Sequence, residues 1–145
     1  MSELSNNAVA RFQEGFSCSQ AVFSVFAEKH GLDLETAFRI SGAFGGGMAR
    51  MGLVCGAVTG AFMVIGLKYG KTEAKDEEAK EKTYQQVRIF VEKFRAVNGS
   101  TICKELLGFD LSVPKEAAQA KEKGLFKNLC PRLVKDAVEI MEEIL

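Results

Sequence analysis

The chain has 145 residues, 47% hydrophobic and 26% charged, with 19 basic residues against 19 acidic ones and a formal net charge of +0. That length carries one packed domain, expected over residues 1–145, and the composition is that of a soluble globular protein rather than a disordered or disulfide-packed chain. No basic stripe with interleaved aromatics is present, which argues against nucleic acid as a partner.

At the N-terminus, Met1 to Asn7 lacks both a basic region and an apolar one, so no secretory signal is predicted and a cytoplasmic protein is expected. Apolar spacing is helical from there on, without the strict alternation of a half-buried strand. Leu4, Ala8, Phe12 and Phe16 fall on one face of a first helix that stops near Gly15. Ser17 is placed to cap a second, carrying Val22, Phe23, Val25 and Phe26 and ending at His30-Gly31. Asp33 caps a short third that buries Leu34, Ala37 and Phe38. A glycine-rich loop from Gly45 to Gly52 leads into an apolar helix from about Leu53 to Tyr69. Its most apolar part, Leu53 to Leu67, is shorter than the ~18 to 20 residues that span a bilayer.

Thr72 is expected to open a long helix whose first half, Lys71 to Lys82, is nearly all charge, a solvated face with local pairs such as Glu78 with Lys82. Its second half presents Tyr84, Val87, Phe90, Val91, Phe94 and Val97 as a core stripe. After the Asn98-Gly99 stop, a short helix runs to Gly108 and another from Pro114 to Gly124. The last runs from Pro131 to the C-terminus and packs Leu133, Val134, Ala137, Ile140, Met141 and Ile144. The predicted fold is all-α, a compact bundle of about six to eight helices.

On this framework the four cysteines share one local setting. Cys18 follows the Ser17 cap, Cys55 stands where the chain leaves the glycine loop, Cys103 falls in the first turn after Ser100 and Thr101, and Cys130 precedes Pro131 as the expected N-cap. Unpaired N–H groups and the positive end of the helix dipole stabilise a sulfur anion at such positions. There a free thiol near ~8.5 can fall to roughly 3.5 to 7.5, and the thiolate is the form that attacks or ligates.

Three familiar signatures are missing. There is no Cys-x-x-Cys, so neither a thioredoxin-type site nor a zinc ribbon follows from local spacing, and no Cys-x-x-Cys-His for haem. Gly47 and Gly52 have phosphate-loop spacing, but Leu53 and Val54 stand where Lys and Ser or Thr are needed. His30, the only histidine, sits at a helix C-terminus and reads as a cap, while Met48 and Met51 beside Arg50 read as gap fillers.

Cys55-Gly56-Ala57-Val58-Thr59-Gly60 is different in kind, because Gly56 and Gly60 share one helix face and admit another backbone at close range. With one cysteine near the N-terminus in Gly15-Phe16-Ser17-Cys18-Ser19-Gln20-Ala21-Val22 and single cysteines at Cys103 and Cys130, the chain resembles the redox-active family written C_GCAxxG_C_C. The resemblance covers nearly the whole chain. It implies a small bacterial or archaeal redox protein, often encoded near transporter genes, whose defining residues are the four cysteines.

Two chemistries remain open. Pairs among Cys18, Cys55, Cys103 and Cys130 could cycle between dithiol and disulfide, with a redox partner; or the same four could ligate zinc, copper(I) or an iron–sulfur cluster. A helical accessory protein with inert cysteines is the third class. In either active case the helix starts are expected to converge, so that at least three sulfurs line one pocket bordered by the glycine loop. Gly46, Gly47, Gly52 and Gly56 would then bring backbone close to a bound group and aim N–H groups at the sulfurs.

Overall fold

The computed structural model describes residues 2–145 and is helical throughout, with one isolated antiparallel bridge, Val54 to Ile102, as the only extended pairing among them. The helices are α1 (Glu3–Glu14), α2 (Cys18–Lys29), α3 (Leu34–Ser41), α4 (Gly45–Met48), α5 (Gly56–Tyr69), α6 (Glu77–Asn98), α7 (Cys103–Leu107), α8 (Pro114–Glu122), α9 (Leu125–Asn128) and α10 (Cys130–Ile144). Two of these, α4 and α9, have only 4 residues each. The all-α expectation holds. No described helix is long and apolar enough to cross a membrane.

Local chemistry sets most boundaries. Ser17 and Gln20 close a reciprocal capping box at the start of α2. Asp33 accepts the Thr36 N–H at 3.0 Å at the start of α3, and Gly15, Gly99 and Gly108 end α1, α6 and α7 at positive φ. Two predicted starts move. The helix expected from Leu53 begins at Gly56, because Leu53 and Val54 are drawn into the pairing with Ile102. The helix expected from Thr72 begins at Glu77. There Asp76 accepts the Ala79 N–H at 3.0 Å, and Glu77 and Glu78 complement the dipole, whereas Lys71 is turned back onto the Ala74 carbonyl.

The core is built where α2 packs on α5, with α1, α6 and α10 around them. Phe90 and Phe94 of α6 are fully buried, and Phe90 meets Phe62 of α5 edge-on at 6.3 Å. The expected stripe on α6 is shorter than its sequence pattern: Tyr84 is 50% and Val97 64% exposed, because only the middle of this helix packs on its neighbours. The charged stretch is solvated as expected, although Lys82 lies over the Tyr69 ring rather than pairing with Glu78. A second, smaller apolar cluster gathers Cys103, Leu107, Leu111, Ala120 and Cys130, with Phe12, Cys18 and Leu129 packed against both clusters.

Candidate functional site

The seam between the two clusters opens as a cavity of about 1310 Å³, and Cys18, Cys55, Cys103 and Cys130 all line it, together with Gly45, Gly46 and Gly47 of the glycine loop. The expected convergence is therefore present. Four elements deliver the sulfurs. Cys18 is the first residue of α2, Cys55 the N-cap of α5, Cys103 the first residue of α7 and Cys130 the first of α10. For Cys130 the boundary moves by one residue, since α9 runs straight into α10 and Leu129 takes the cap position.

Glycines set the spacing. A Cβ on Gly56 would stand 3.0 Å from the Ser19 nitrogen and 3.1 Å from the Cys18 Cβ, and one on Gly60 would stand 2.9 Å from the Ser19 carbonyl oxygen. The close-packing reading of Gly56 and Gly60 holds, and at Gly56 it brings the start of α5 against Cys18. Cys55 and Cys103 are tied through the bridge between their segments. The Cys55 N–H donates to the Thr101 carbonyl at 2.8 Å and the Cys103 N–H to the Leu53 carbonyl at 2.6 Å. This pattern makes Cys55 and Cys103 diagonal neighbours on one face of the bridge.

The glycine loop has an unexpected shape. Gly46, Gly47, Met48, Ala49 and Arg50 all have φ between 56° and 69°, one turn of left-handed helix of which Gly46, Gly47, Ala49 and Arg50 line the cavity. Glycine accepts that conformation freely, but each residue with a Cβ costs roughly 1 to 2 kcal/mol there. The turn is held by Arg50 N–H to Gly45 carbonyl at 3.2 Å and Leu53 N–H to Gly47 carbonyl at 2.9 Å, and a Cβ on Gly47 would stand 2.6 Å from the Cys103 Cβ. The Gly52 N–H goes to the Gly46 carbonyl at 3.4 Å, and so serves the turn itself. The N–H groups that favour a thiolate at Cys55 come instead from Ala57 and Val58, in the first turn of α5.

Helix starts alone do not make these sulfurs acidic. Burial pushes the Cys103 thiol up to about 12 and the Cys55 thiol up to about 11, outweighing in the latter the N–H groups of Ala57 and Val58. Cys18 is held well above the usual thiol range, first by its hydrogen bond with Cys130, then by burial and by the neighbouring sulfurs. Cys130 alone is lowered, because Cys18 donates to it. The general expectation of low thiol pKa values is thus corrected to a single residue, since desolvation depends on tertiary burial that the helix start does not reveal.

Among the described residues no group of three or more His, Cys, Asp or Glu side chains is placed to hold a metal ion. The four cysteines thus do not form a ready-made metal site in this conformation. His30 caps α2 outside the cavity, and Met48 and Met51 are absent from its lining, while Ala49 and Arg50 belong to it. Sequence reasoning missed Phe12, Leu106, Leu111, Lys121, Phe126 and Lys127, which also line the space. They come from distant elements and carry no motif.

An all-helical chain that gathers four cysteines on one cavity behind a Cys-Gly-Ala-x-x-Gly helix start defines a cysteine-centred protein class. The chain belongs to the family described as "Putative redox-active protein (C_GCAxxG_C_C)", whose model matches residues 16–144. No curated protein and no solved structure matches it.

Proposed function

We propose that this protein carries out thiol–disulfide exchange, with Cys130 as the attacking sulfur and Cys18 as the resolving one. The observation that carries the reading is the meeting of the first turns of α2 and α10 in the cavity, with Cys18 placed to donate to Cys130. The thiolate is the nucleophile in such exchange, and Cys130 is the only one of the four whose surroundings favour it.

The Cys130 thiolate attacks one sulfur of a substrate disulfide, forms a mixed disulfide and releases the other sulfur as a thiol after protonation. Cys130 is then neutral, and the largest cause keeping Cys18 protonated is gone. Cys18 loses its proton, attacks the Cys130 sulfur and expels the second substrate thiol. The two protein thiols lose two electrons, the substrate disulfide gains them, and a dithiol-bearing partner returns the protein to its reduced form. Cys55 and Cys103, buried and protonated, form a second pair beside the first.

Alkylation and mass spectrometry before and after mild diamide test this. Free thiols should fall from the four present in the reduced chain by an even number, with a Cys18–Cys130 cross-linked peptide recovered. A protein that keeps all four thiols free overturns the proposal.

A further inference from the structure

The cavity also constrains what it can admit. Cys55, Cys103 and Cys130 are only 4%, 7% and 6% exposed and Cys18 is half-buried, so the proposed attacking sulfur, Cys130, is not presented on the outer surface to the disulfide of a folded partner. A small molecule entering the cavity can reach them, and about 1310 Å³ is ample for a drug-sized body. Much of the wall is apolar, from Phe12, Leu106, Leu111 and Phe126.

Charge on the lining has one sign. Arg50, Lys121 and Lys127 line the cavity, and no Asp or Glu does. None of the three takes part in an ion pair among the described residues. For a chain of net charge +0 this is a local asymmetry, not a reflection of composition. The three cations come from separate elements: the left-handed turn, α8 and α9. The left-handed turn also sets where the Arg50 stem starts. Arg50 has a φ of 65°, and its Cγ would stand 2.9 Å from a Cβ on Gly46, so the turn lays the arginine stem across a position that only glycine leaves open.

We infer that the cavity selects small disulfides bearing carboxylates on an apolar body, with Arg50, Lys121 and Lys127 holding the anionic groups while the disulfide bond meets Cys130. The inference rests on the exchange reading above. Guanidinium recognises carboxylate through paired N–H donors, and lysine supplies a point charge. A cleft of one sign, walled by low-dielectric side chains, raises the local concentration and arrival rate of oppositely charged ligands. The chemistry is the balanced exchange already given: the anionic disulfide is reduced to two thiols as Cys18 and Cys130 become joined.

The test is stopped-flow reaction of the reduced protein with two aromatic disulfides, the anionic dithiobis(nitrobenzoate) and the neutral dithiodipyridine. Each rate is divided by that of the same reagent with free cysteine. The normalised rate should favour the anionic reagent by about tenfold at low salt, and the preference should shrink as salt screens it. Changing Arg50, Lys121 and Lys127 together to Gln should bring the ratio close to one. A control with Lys29, Lys71 and Lys75 changed to Gln removes the same charge from exposed positions outside the cavity and should keep the preference. Equal normalised rates in the native protein, or a preference that survives loss of the three cavity cations, overturns the inference while leaving exchange intact. Failure of both reagents to produce the Cys18–Cys130 cross-link overturns the exchange reading, and this inference with it.

Discussion

Each cysteine's position relative to a helix start is a local property, and Ser17, Ser100 and Pro131 mark three of them in the sequence. Protonation is not local, because it depends on how much protein covers the sulfur. The two buried thiols make a pH prediction. Their folded values, about 11 for Cys55 and about 12 for Cys103, lie above the ordinary 9.0. Their contribution is fully present below pH 9 and is lost as pH rises toward those folded values. For Cys55 it amounts to on the order of 3 kcal/mol. Urea midpoints of the reduced protein should therefore fall between pH 9 and 11, and the fall should be shallower in Cys55→Ala. Parallel pH profiles for the two proteins would contradict the burial assignment. Cys130 has the opposite sign: its lowered value gives stability that is present above the ordinary thiol range and lost as pH falls through its folded value. At neutral pH it should also dominate alkylation. Cys130→Ser should remove the fast phase of iodoacetamide labelling, and its persistence would assign the thiolate elsewhere.

At the scale of elements, helical periodicity and caps located nearly every helix, while the left-handed turn escaped detection. Glycines at 46 and 47 announce freedom, but nothing in Met48, Ala49 and Arg50 announces positive φ. The turn is imposed by what it touches, since Gly47 abuts Cys103 and Gly46 underlies Arg50. Ala49→Gly should relieve its left-handed strain and stabilise the protein by about 1 kcal/mol. Gly47→Ala should do the reverse. Its Cβ would collide with the Cys103 Cβ at 2.6 Å and the Leu53 nitrogen at 2.8 Å, an overpacking that costs typically 1 to 3 kcal/mol. Urea denaturation measures both. A neutral Gly47→Ala would mean that the turn is free to move away from Cys103.

For the whole molecule, the all-α architecture and the meeting of the four cysteines could be inferred from the chain, because four separate helix starts with one residue type are most simply explained by one shared site. The walls of that site could not. Lys121, Phe126 and Phe12 reach it only because α8, α9 and α1 close around the seam between the two apolar clusters. The same arrangement makes the proposed disulfide a global cross-link. Cys18 opens α2 and Cys130 opens α10, so a bond between them encloses most of the chain and restrains the unfolded ensemble strongly. Such long loops raise stability by roughly 2 to 4 kcal/mol when the native geometry accepts the bond without strain. The oxidised protein should consequently have a urea midpoint clearly above that of the reduced protein, and Cys18→Ser should erase the difference while Cys55→Ala retains it. A reduced–oxidised difference that instead follows Cys55 would move the exchanging pair to the bridge between Val54 and Ile102 and displace Cys130 from the attacking role.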